Sequence, residues 1–127
     1  MERSLCIVVA HCCISPEIMK EAISQLPEQI VNVTQINVKY LHPKELPITQ
    51  EEIVRRNYAV KKVKESVEAS LDDGVDVVFV SKTVRQWLDP ERYQRNPKLS
   101  QIPDSFDPLE ITAQIAYFLG QKYRNVN

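Results

Sequence analysis

The sequence predicts an α/β fold for residues 1–127 as one domain: a three-layer sandwich, Rossmann-like, with a short, mostly parallel sheet of three to four strands and helices on both faces. Three observations predict it. Leu5-Cys6-Ile7-Val8-Val9-Ala10 and Val75-Asp76-Val77-Val78-Phe79-Val80 are largely apolar runs without alternation, the habit of strands covered on both faces. Each run leads within a few residues into a helix-start signal, Ser15-Pro16 after the first and Ser81-Lys82-Thr83 after the second. Between and beyond them, apolar residues recur at helical spacing, so strands and helices alternate along the chain.

In order, Ser15 is a helix cap and Pro16 a first-turn proline, and the helix they open carries Ile18, Ala22, Ile23 and Leu26 on one face up to Pro27. Val31 to Leu41 is strand-like, but Val31 and Val33 fall in one phase and Ile36, Val38 and Tyr40 in the other. That change points to a bulge or to a strand near an edge. His42 to Pro47 reads as a loop. Thr49-Gln50-Glu51-Glu52 is a capping box opening a long helix to about Asp73, with Ile53, Val60, Val63, Val67 and Leu71 as its seam. Glu51 with Arg55 and Lys61 with Glu65 are spaced for pairing on its outer face.

Gly74 ends that helix and the second apolar strand follows, predicted to pair beside the first. Val84, Trp87 and Leu88 mark a short helix, and Asp89-Pro90 opens another. Leu99 to Ile102 suits a short edge strand. Asp107-Pro108-Leu109-Glu110 repeats the capping pattern before a terminal helix with Ile111, Ile115, Phe118 and Leu119 on one face.

Composition excludes several classes of function. A net charge of −1 argues against holding nucleic acid or an anionic membrane by bulk electrostatics. With glycine only at 74 and 120, both expected where helices end, there is neither a glycine-rich phosphate loop nor a dinucleotide fingerprint. Three cysteines, an odd count, predict thiols in a reducing compartment, and no apolar run spans a bilayer, so the expected location is the cytoplasm.

In a parallel sheet the carboxyl ends of the strands receive His11, Cys12, Cys13 and Ser15 from the first strand and His42 and Lys44 from the second. The third delivers Ser81, Lys82, Thr83 and Arg85, and Asp104 and Ser105 join from the fourth. Donors and cations dominate this set, and helix amino ends add positive partial charge. The expected ligand is therefore a small anion, such as a nucleotide or another phosphate compound, held by Ser15, Lys82, Thr83 and Arg85. His11 and Cys13 are the candidate catalytic residues, His11 as an orienting or acid–base group and Cys13 (or Cys12) as a nucleophile at a helix amino end. The plainer reading is that Ser15 and Thr83 cap helices, Lys82 and Arg85 lie in solvent, and the cysteines are packing. No metal is expected, and the residues leave any cofactor unknown: His11, Cys13 and His42 are chemically competent for zinc, but the adjacent Cys12-Cys13 pair lacks chelating spacing.

The alternative function is that of a non-catalytic assembly or adaptor subunit. Of the nine aromatics, six lie between Trp87 and Tyr123, more than one loop and one helix bury alone, so a homo-oligomer through this C-terminal region is expected, with Trp87 and Phe118 as its test residues.

Three short stretches resemble known families. Ser15-Pro16-Glu17-Ile18-Met19-Lys20-Glu21-Ala22-Ile23 resembles the opening of the CRISPR-associated Rossmann-fold domains that sense cyclic oligonucleotides, whose later glycine-containing ligand motif has no counterpart here. His11 directly after the first strand is similar to the small cobalt chelatases of tetrapyrrole synthesis, with Ser81 or Lys82 standing where their second strand-end histidine belongs. Cys13-Ile14-Ser15-Pro16 resembles the low-molecular-weight tyrosine phosphatases and related sugar-transport phosphocarrier domains. Their catalytic loop needs an upstream cysteine and, in the phosphatases, an arginine where Ile14 stands. No family is assigned on these residues.

Overall fold

A computed structural model describes residues 5–12, 14–26, 31–37, 49–93 and 96–122. Four strands, β1 (Leu5–His11), β2 (Val31–Asn37), β3 (Val77–Ser81) and β4 (Leu99–Ile102), form one all-parallel sheet in the order β2-β1-β3-β4. Among the described residues five helices accompany them: α1 (Pro16–Ser24), α2 (Gln50–Asp72), α3 (Lys82–Trp87), α4 (Pro90–Tyr93) and α5 (Pro108–Lys122).

The apolar runs alternate after all, but between two cores. Leu5, Ile7, Val9, Val77 and Phe79 meet Met19, Ala22 and Leu26 of the α1 segment and Ile111, Ile115 and Leu119 of α5 on one face. Val8, Ala10, Val78 and Val80 meet Val63 and Val67 of α2, and Val84 and Leu88 of the α3 segment, on the other. This is the expected sandwich of a sheet between two helical layers. The chain leaves β1 for β2 with α1 on the first face, then returns across β1 to β3 with α2 on the second. Reversing direction and face together keeps both crossovers of one hand.

Local chemistry explains where the elements stop. Ser15 Oγ accepts the Ile18 N–H at 3.2 Å and Thr49 Oγ1 accepts the Glu52 N–H at 3.2 Å, so both predicted caps form. Gly74 follows α2 with φ +78°, a left-handed conformation that a Cβ disfavours even though nothing lies within 4 Å of one. Asp107 Oδ1 accepts the Leu109 N–H at 2.9 Å at the start of α5, and Thr112 Oγ1 donates to the Ala22 carbonyl at 2.9 Å, tying α5 to α1.

Several expectations need correction. Of the two readings of the β2 phase change, the edge strand holds and the bulge does not: β2 is an edge strand, paired with β1 from Leu5↔Val31 to His11↔Asn37 in unbroken register; residues 38–48, with His42 and Lys44, lie outside the described residues. Met19, read as neither core nor surface, is fully buried in α1. Ile53 is 45 % exposed, so the buried seam of α2 is Ala59, Val63 and Val67. Gly120 lies within α5 rather than at its end. Among the described residues, no helix is long and apolar enough to cross a membrane.

Candidate functional site

The switch in strand order falls between β1 and β3, which are parallel neighbours with Ala10 opposite Val80. His11 and Ser81 therefore end their strands side by side, and the α1 and α3 segments begin there, the arrangement that in open α/β sheets creates a crevice at the carboxyl rim.

His11 is completely buried, and both ring nitrogens are engaged. Nδ1 lies 3.0 Å from the Ile14 carbonyl oxygen; a carbonyl only accepts, so Nδ1 carries the proton and donates. Nε2 lies 2.9 Å from Gln35 Oε1 on β2. That oxygen suits a doubly protonated ring, and reversing the Gln35 amide suits a neutral one. Burial pushes the His11 imidazole below its ordinary 6.5, against the opposing pull of its Gln35 and Ile14 hydrogen bonds and of the Asp104 charge. The ring is thus a neutral clasp joining the β1–α1 turn to the edge strand, with no charge to offer an anion at neutral pH.

At the β3 side of the rim, Ser81 rather than Thr83 caps α3: its buried Oγ accepts the Val84 N–H at 3.3 Å. Thr83 instead grips Asp104, whose Oδ2 accepts from the Thr83 backbone N–H at 3.1 Å and from Thr83 Oγ1 at 2.7 Å. A carboxylate of the chain itself thereby occupies the amino end of α3 and complements its partial positive charge. Asp104→Ala removes both bonds and costs about 1 kcal/mol, measured by denaturant unfolding; a loss of no more than a few tenths means that this carboxylate does not hold the helix start.

Of the predicted ligand-binding residues, Ser15, Lys82 and Thr83 stand at the starts of α1 and α3 on the carboxyl rim, whereas Arg85 stands in the last turn of α3; Lys82 is exposed and the other three are half-buried. The amides an anion would use are largely engaged already, Ile18 by Ser15, Thr83 by Asp104 and Val84 by Ser81, and Pro16 has none. Cys13 lies outside the described residues, whereas Cys12 is half-buried against the α2/α3 core. Among the described residues, no group of three His, Cys, Asp or Glu is placed to hold a metal ion. Asp76 lies at the opposite edge: its Oδ2 accepts the Cys6 N–H at 2.8 Å and its N–H donates to the Cys6 carbonyl at 2.9 Å, so it extends the β1–β3 pairing. A cavity along α2, lined by Asn57, Val60, Lys61, Lys64, Glu65 and Glu68, includes none of the rim residues.

The most unusual surface is elsewhere. Phe106, Leu109 and Tyr117 are 81 %, 66 % and 66 % exposed, and helical spacing places the exposed Ala113 and Ala116 between Leu109 and Tyr117 on the outer face of α5. The two aromatics expected to work at this end are partly buried: Phe118 lies edge-to-face on Phe79, with centroids 5.4 Å apart, and Trp87 packs on the α2/α3 core. Sequence reasoning missed Gln35 because its partner is 24 residues away. It missed the α5 surface because Tyr117 and Phe118 are told apart only by which side of the helix meets the sheet. Compared with protein-family models, curated proteins and solved structures, the chain matches none of them, so its function is read from this rim and the α5 face alone.

Proposed function

We propose that the chain is a non-catalytic assembly subunit that associates with a second copy of itself through the outer face of α5. The observation that carries this reading is the exposure of Leu109 and Tyr117 on one face of α5, with Phe106 exposed just before the helix, where a lone soluble chain places polar residues. This face suits burial. Glu110 is the one charged residue between Pro108 and Gln121, and its Oε2 is already engaged by Ser105 Oγ at 2.5 Å. Burying it therefore leaves few charges to desolvate. The odd cysteine count supports the cytoplasm as the setting.

Light scattering on the wild-type chain gives more than the mass of one chain, and the double variant Leu109→Ser, Tyr117→Ser gives one chain. Both side chains are two-thirds exposed on the single chain, so the variant still folds, as circular dichroism checks. A wild-type chain that stays monomeric at every concentration refutes the reading.

A second reading is supported by the strand switch: a small anion, such as a nucleotide or phosphate compound, seated between the α1 and α3 starts against Lys82. Here His11 orients the β1–α1 turn and transfers no proton. Inorganic phosphate and a nucleotide series in a thermal-shift titration test it: stabilisation lost in Lys82→Ala supports it, and no stabilisation by any of them rejects it.

A further inference from the structure

The outer face of α5 needs a complementary surface, and the same chain carries one. On α2, Val54 and Tyr58 are both 64 % exposed, one helical turn apart on the side away from the sheet. α2 covers one face of the sheet and α5 the other, so the two apolar patches point in opposite directions.

Their charged surroundings are of opposite net sign. From Glu51 to Glu65, around Val54 and Tyr58, α2 carries Arg55, Arg56, Lys61, Lys62 and Lys64 against Glu51, Glu52 and Glu65, a net charge of +2. Glu51 is answered within its own helix by Arg55 at 2.7 Å. From Leu99 to Gln121 every charged residue is acidic: Asp104, Asp107 and Glu110, and they surround Phe106 and Leu109. Two copies of α5 brought face to face set these acids against each other, and two copies of α2 do the same with the bases. One α5 against one α2 pairs them.

We infer that the α5 face of one copy seats on Val54 and Tyr58 of α2 in the next, head to tail. This rests on the reading of α5 as an association surface and adds its partner. A contact between two different patches on opposite faces leaves one patch unfilled at each end, so it extends into a ring or an open chain instead of stopping at two copies.

The test uses two single variants of the full chain. Tyr58→Glu places an acid in the basic surface and Tyr117→Lys a base in the acidic one; both positions are mostly exposed, and circular dichroism checks that each variant folds. In sedimentation velocity the wild type grows past two copies as concentration rises, and salt weakens the assembly. Each variant alone needs at least roughly tenfold more protein to assemble. Mixed in equal amounts, they form a species of two chains, because each variant retains the patch that the other has lost. If Tyr58→Glu assembles as the wild type does while Tyr117→Lys fails, α5 meets α5: this inference falls and the α5 reading stands. If the wild type stays monomeric, both fall.

Discussion

Replacing Phe79 by alanine lowers the unfolding free energy by about 3–5 kcal/mol, a large fraction of the total stability of a domain of this size. Phe79 is fully buried on β3, between β1 and β4 in the sheet, and its ring faces the layer formed by α1 and α5. There it meets the edge of Phe118 with an interplanar angle of 81° and a centroid separation of 5.4 Å. The truncation loses the transfer free energy of a phenyl ring and leaves a cavity whose walls belong to strands paired on both sides, so they relax little. Phe79→Leu retains much of the volume and loses mainly the ring pair, at a cost of about 1–1.5 kcal/mol. Urea unfolding of the three proteins checks the order. A Phe79→Ala cost below that of Phe79→Leu contradicts this placement of the ring.

Acidification weakens the fold through His11. Burial holds its folded pKa below the ordinary 6.5, whereas the unfolded chain titrates near 6.5. Above 6.5 the ring is neutral in both states and pH has no effect through it. As pH falls from 6.5 towards the folded pKa the unfolded state takes up the proton first, so stability falls by up to about 1.4 kcal/mol per pH unit. It levels off once the folded ring also protonates. In His11→Leu this slope disappears, leaving whatever His42 contributes in both proteins. At pH 8 the variant is already about 1–3 kcal/mol less stable, because the Ile14 carbonyl loses its donor in a buried turn. Chemical denaturation of both proteins between pH 8 and 5 measures the difference, and parallel pH profiles would show that His11 is not the titrating group.

These two residues were legible in the sequence to different degrees. Phe79 sits in an uninterrupted apolar run, so its burial followed from composition alone; its contact with Phe118 joins residues 39 positions apart and did not. His11 followed an apolar strand and was read as a functional group at a ligand crevice. In the fold it is closed off by Ile14 and Gln35, and the α3 amino end beside it is filled by Asp104. The helix starts at Ser15, Thr49 and Asp107 were readable because a cap bonds an amide two or three residues away. The error at α3 was of one kind: Ser81 and Thr83 both suit a cap, and the choice went to Ser81 because Asp104, 21 residues on, claimed Thr83.

What the amino-acid order determined by itself is local: the two central strands from their apolar runs, the helices from their periodicity and caps, and therefore alternating elements that a parallel sheet between two helical layers buries. What the tertiary structure alone decided is which face each residue joined. The side of the sheet taken by α2 and α5 left Val54, Tyr58, Leu109 and Tyr117 in solvent and Met19 in the core. The physical reason is that a helix has apolar residues to spare around its circumference, and it is the neighbour it packs against that removes some of them from water.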